Sequence, residues 1–129
     1  GIDLPKKYYK KFRPARLTDR ALEKLAGRAD RERFQILLAH SPLFFDAYSR
    51  WGADLTLAGH FHGGTIRLPI LGGVMTPQYQ FFLPCCGGEF ERDGRKMIVS
   101  RGLGTHSIPI RFNNKPQLVV VHLKKKPTF

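Results

Sequence analysis

With 129 residues, 42% of them hydrophobic and 25% charged, the chain has the length and composition of one globular domain with its own core. Two adjacent cysteines, Cys85 and Cys86, exclude a disulfide framework, and no apolar run approaches the roughly 20 residues that a bilayer-spanning helix needs. Twenty-two Lys and Arg against ten Asp and Glu leave a net charge of +12, which favours anionic partners: phosphoesters, nucleic acid or an anionic membrane surface.

Residues 1–16 are basic and aromatic, with Lys6, Lys7, Lys10, Lys11, Arg13 and Arg16 crowded near Pro5 and Pro14. They read as extended or loosely ordered chain. Thr18 or Asp19 can cap a helix over 19–29, placing Ala21, Leu22, Leu25 and Ala26 on one face. The apolar run 35–39 reads as a buried strand that ends at His40. Ser41-Pro42 then starts a short helix over 43–51, with proline at the first helical position and Gly52 as the stop. Residues 54–58 form a second buried strand, ending at Gly59-His60. A strand–helix–strand unit of this kind predicts parallel pairing with a right-handed crossover.

Residues 63–84 are rich in Gly, Pro and aromatics and poor in charge. They read as a long loop with extended pieces over 65–68 and 78–82. In the second piece, Tyr79, Phe81 and Phe82 could line an apolar substrate wall. Asp93-Gly94 lies between two alternating runs, 89–91 and 96–100, and predicts a β-hairpin. Residues 117–123 read as a final strand, followed by the basic run Lys124, Lys125 and Lys126. The fold class is therefore α/β with a mixed β-sheet. The cysteine pair reads as buried small side chains and fits a reducing compartment. The chain begins at Gly1 rather than Met, so it reads as a piece of a longer protein or a processed product.

The chemistry concentrates in histidines at strand ends. His40 ends one strand; His60 and His62 follow the next, within Gly59-His60-Phe61-His62-Gly63-Gly64. Ligands of open α/β sheets collect at the carboxyl ends of strands. In extended chain, side chains two apart point the same way. The imidazoles of His60 and His62 are thus expected to converge with His40 on one point or on two neighbouring metals. Neutral imidazole ligates Zn, Mn, Fe and similar divalent ions, and the flanking glycines permit tight turns. Each histidine taken alone reads equally as a hydrogen-bonding residue. Their repetition at two strand ends favours ligation.

Ile36-Leu37-Leu38-Ala39-His40-Ser41-Pro42 and Ala53-Asp54-Leu55-Thr56-Leu57-Ala58-Gly59-His60-Phe61-His62-Gly63-Gly64 resemble the last two metal motifs of calcineurin-like metallophosphoesterases. Ile66-Arg67-Leu68-Pro69, Val99-Ser100-Arg101-Gly102-Leu103-Gly104 and Pro109-Ile110-Arg111-Phe112-Asn113 extend the likeness to the bacterial branch related to lipid-linked and cell-envelope phosphohydrolases. The resemblance covers about 35–123. It implies part of a metallophosphoesterase-type layered α/β sandwich, with 1–16 a basic extended segment and 17–129 the C-terminal part of that domain.

The resemblance further implies phosphoester hydrolysis by two divalent metal ions about 3–4 Å apart. It makes His40, His60 and His62 metal ligands, with His60 and His62 the catalytic pair. It brings the turn carrying His106 near the site, and Arg101 and Arg111 suit bidentate contact with a substrate anion. His122 reads as a packed or edge residue.

Two departures matter. Phe61 stands where the family carries a small hydroxyl residue, which implies an altered pocket edge. The family's Asp-x-His pair, bridging Asp and Asn-His pair are absent; Asp3, Asp19 and Asp30 precede His40 in no such setting. Three neutral imidazoles alone do not hold two dications close together, so this fragment is expected to bind one metal or none and to be weak or inactive by itself.

The expected partners are a phosphoester substrate and either the missing N-terminal half or further copies of the chain; a membrane surface is a third. The expected location is cytoplasmic or peripheral to a membrane. The rival readings are a basic module binding nucleic acid or anionic lipid, although no nucleic-acid motif is present, and a noncatalytic remnant of the scaffold.

Overall fold

Local signals in the chain place most of the elements. In the computed structural model, which describes residues 1–10, 15–64, 66–68, 70, 72–75, 85–105 and 110–125, a 3-10 turn over Lys6–Tyr9 comes first. Helix α1 (Asp19–Ala26) follows, and Thr18 Oγ1 accepts from Ala21 N at 3.2 Å as its cap. It stops at Gly27, whose φ of 79° continues no helix. After strand β1 (Ile36–Leu38), Ser41 caps a 3-10 turn, Pro42–Phe44, that leads into α2 (Phe45–Trp51). Gly52, with φ of 125°, ends α2. Strand β2 (Leu55–Ala58) precedes a small hairpin of β3 (Ile66–Leu68) and β4 (Gly72–Met75). Strands β5 (Gly88–Arg92) and β6 (Arg95–Val99) form the second hairpin, turning at Asp93 and Gly94, both in left-handed backbone.

The main sheet has the order β1-β2-β6-β5, with β1, β2 and β6 parallel and β5 antiparallel at the edge. The fold is therefore the mixed-sheet α/β class expected, consistent with a metallophosphoesterase-type sandwich. Asp54 secures the amino end of the three parallel strands: its carboxylate accepts from Gln35 N at 2.8 Å and meets Arg95 Nη1 at 3.0 Å, and its carbonyl accepts from Lys96 N.

One sheet face carries the core. Leu37 and Ala39 pack against Leu22, Ala47 and Tyr48 from the two helices, and Met97 and Val99 pack with Phe45. The opposite face is open at its β1 edge, where Ile36 is 41% and Leu38 52% exposed. Among the described residues no helix is long and apolar enough to cross a membrane.

Three local expectations differ from the structure. Residues 1–10 are not loose: Leu4 and Tyr8 join the buried core, Tyr8 stands edge-on to Phe44 at 5.6 Å, and Ile2 bridges Ala39. Three buried or half-buried apolar side chains outweigh the repulsion among solvated lysines. Strand β4 lies where a loop was expected, because glycine-rich chain shows no alternation to read. Residues 117–123 are extended but join no ladder: Leu118, Val119 and Val121 lie beside Leu57, Ala58 and Ile98 on a face of the sheet instead of along one of its edges. The extended piece expected over 78–82, with Tyr79, Phe81 and Phe82, lies outside the described residues.

Candidate functional site

Parallel pairing brings the chain segments that leave β1, β2 and β6 to one end of the sheet. Gly59 N donates to His40 O at 3.1 Å and Ser100 N to Ala58 O at 2.9 Å, so His40, the 59–64 loop and the 100–104 loop are neighbours. There, His40 Nε2 and His60 Nδ1 lie 3.1 Å apart, with their rings 4.9 Å centre to centre. One of these nitrogens donates and the other accepts, according to tautomer. Tyr9, from the amino-terminal turn, sets its ring edge-on to His60 at 5.1 Å and 6.2 Å from His40. Burial, and secondarily the charge of Asp3, push its phenol above the ordinary value, so Tyr9 stays a neutral wall of the corner. A cavity of about 580 Å³ opens beside it, lined by Asp3, Leu38, His40, Leu57 and Gly59 among others.

His62 meets the 100–104 loop. His60 and His62 both adopt left-handed backbone, with φ of 66° and 50°. The loop is held as a tight turn: Phe61 N donates to Gly59 O and Gly64 N to Phe61 O, each at 2.8 Å. The alternation that would make residues two apart share a side belongs to extended chain, and this stretch is not extended. His62 Nδ1 instead lies 3.1 Å from Gly104 O. Left-handed conformation at two non-glycine residues is strain of the kind that clusters at functional sites. Phe61, expected at the pocket edge, is fully buried, with its ring 5.0 Å from that of His60.

A metal site needs converging donors. Two nitrogens, each about 2.0–2.1 Å from a zinc-like ion, sit roughly 3.0–3.4 Å from one another. The His40–His60 pair therefore has the spacing of two ligands of one ion. Among the described residues, no group of three His, Cys, Asp or Glu is placed to complete such a set. The fit is to a pair of ligands rather than to a closed centre.

The two arginines expected to meet an anion also make hydrogen bonds within the fold. Arg101 N and Nε both donate to Gln117 Oε1, at 3.3 and 3.2 Å. Arg111 Nη2 donates to the carbonyls of Arg101, Gly102 and Gly104. Its Nε and Nη1 are buried with no hydrogen-bond partner. His106 lies outside the described residues. His122 is exposed on the extended tail. Asn114, not singled out by sequence reasoning, is buried and donates to the carbonyls of His62 and Gly64. Its acceptors lie 52 and 50 positions away in the chain, so no local signal marked it.

The chain is 37% identical over 91 residues to YkuE, an uncharacterized metallophosphoesterase of Bacillus subtilis (strain 168), an alignment covering 70% of this chain and 31% of the relative. It is 34% identical over 97 residues to an uncharacterized metallophosphoesterase of Aquifex aeolicus (strain VF5), covering 75% of this chain and 35% of that protein. The chain spans about a third of the length of the curated relatives it matches. No protein-family model matches it, and no solved structure matches it.

Proposed function

This chain is related to the metallophosphoesterases, and from that premise we propose that it supplies the histidine side of a metal-dependent phosphoester-hydrolysing centre. The observation that carries the reading is the pair of ring nitrogens, His40 Nε2 and His60 Nδ1, 3.1 Å apart where adjacent parallel strands end. Divalent ions there would neutralise charge on the phosphoryl oxygens and acidify a water. His40 and His60 would hold one ion, and His62 would reach a second. Neutral imidazoles carry no compensating charge, so two dications require carboxylates as well. We assign those carboxylates to polypeptide beyond these residues, in a protein of the relatives' length.

The chain's own residues contribute binding and positioning. Tyr9 lines one side of the corner. Lys6, Lys7 and Lys10 are exposed on the segment that carries Tyr9, and they draw an anionic substrate towards it. Arg101 and Arg111 act through the loop they brace rather than by touching the anion. Folding of the lysine-bearing segment onto the histidine corner favours this arrangement over a separate nucleic-acid or lipid module.

The test is elemental analysis for bound metal together with phosphomonoester and phosphodiester turnover. Both are measured on this chain and on a polypeptide extended to the relatives' length. The extended protein is expected to carry divalent metal and to hydrolyse, and His60→Ala and His62→Ala each to reduce metal-stimulated turnover to background. Unchanged turnover in a folded His60→Ala protein would sink the proposal. The short chain alone is expected to hold one ion or none and to turn over weakly.

A further inference from the structure

Both loops that flank His62 are tied to one short segment, 111–114. Asn114 is only 2% exposed, and its Nδ2 donates to His62 O and to Gly64 O, each at 2.6 Å. An amide nitrogen has two hydrogens, and both are used here. The opposite amide orientation would set Oδ1 against two carbonyl oxygens, so this orientation alone makes bonds. Three residues earlier, Arg111 Nη2 donates to the carbonyls of Arg101 at 3.0 Å, Gly102 at 3.3 Å and Gly104. Between them, Phe112 is anchored to β3, its carbonyl accepting from Arg67 N at 3.1 Å.

Gly104 is the link to the ring. Its carbonyl lies 3.1 Å from His62 Nδ1. A carbonyl oxygen only accepts, so this bond puts the hydrogen on Nδ1 and the imidazole lone pair on Nε2. The arrangement is costly to maintain. His62 has left-handed backbone, Asn114 Oδ1 is buried without a partner, and a Cβ on Gly63 would come within 2.6 Å of that oxygen.

We propose that residues 111–114 form a positioning strap for His62. Asn114 fixes the backbone of its loop, and Arg111 fixes the carbonyl that sets its tautomer. The inference rests on the reading of His62 as a metal ligand, a role that needs a neutral ring with its lone pair presented in a fixed direction. Asn114 and Arg111 act through His62 and are not themselves catalytic.

The experiment reads the tautomer directly, without metal. Two-bond proton–nitrogen NMR correlations of the metal-free chain, recorded well above the ordinary imidazole pKa range, distinguish Nδ1–H from Nε2–H rings. Wild-type His62 is expected as Nδ1–H. Arg111→Met and Asn114→Ala are each expected to move it towards the Nε2–H form that unconstrained imidazoles favour in water. Arg111→Lys, which keeps one cationic donor, should restore part of the Nδ1–H signal, and exposed His122 should be unchanged throughout.

Amide dispersion reports whether each variant is folded. If Asn114→Ala is not, the two Arg111 variants decide the question. In the extended protein, the strap variants are expected to weaken metal affinity by about 10–100-fold, with substrate KM little changed. His62 retaining its wild-type tautomer in folded Arg111→Met would overturn the proposal. A tautomer shift in a protein that hydrolyses no phosphoester would uphold the strap and remove the phosphoesterase reading instead.

Discussion

Left-handed backbone at His60, His62 and Gly63, with φ of 66°, 50° and 77°, makes the 59–64 loop a tight turn rather than extended chain. Gly63 is the member that tolerates no side chain, because an added Cβ would lie 2.6 Å from both Arg101 Cγ and Asn114 Oδ1. Gly63→Ala is therefore expected to destabilise the protein by about 1–3 kcal/mol, seen as a lower denaturant midpoint, and to release the Asn114 bonds. A second residue-scale effect is acid–base. Burial, then the neighbouring Cys85, push the Cys86 thiol up to about 11 from 9.0, with Arg67 opposing. Its proton is held more tightly in the folded state. The stabilisation is full below pH 9 and is lost as pH rises towards about 11. Urea midpoints measured across that window should fall more steeply for wild type than for Cys86→Ala; equal slopes would refute it.

At the scale of elements, Asp54 joins β1, β2 and β6 through side chain and backbone together. Asp54→Ala removes a part-buried ion pair and leaves Gln35 N without its acceptor. A cost of about 1–3 kcal/mol is expected, read from equilibrium denaturation, and a loss below a few tenths would contradict this account. The capped helices, the two apolar strands and the Asp93-Gly94 hairpin were legible in the sequence because their determinants are local: a capping hydroxyl, a stop glycine, a turn pair. Strand β4 was not, since Gly72 and Gly73 carry no pattern. Nor was the fate of the tail. Val119 and Val121 alternate with Leu118 and Val120 as a strand would, yet a strand exists only where another edge accepts it.

Among the described residues, helices cover one face of the main sheet, and the other face carries exposed apolar side chains at its β1 edge. Ile36 and Leu38 are exposed on the open side, and Leu57 and Ile98 are half-buried there. Contiguous apolar surface beside an edge strand favours association with further polypeptide. The isolated chain is therefore expected to self-associate as its concentration rises, seen by light scattering after size exclusion, and Leu38→Lys to shift it towards monomer. A wild-type chain that stays monomeric at high concentration would count against this.

The sequence by itself determined which side chains stand at the ends of β1 and β2, and hence that imidazoles gather at one end of a parallel pair. That follows from local apolar runs stopping at His40 and Gly59-His60. Only the tertiary structure decided where His62 points. Its direction depends on left-handed backbone held by Asn114 and on the Gly104 carbonyl held by Arg111. Those bonds come from residues roughly 40–50 positions away, and no local rule of periodicity carries information across such a separation.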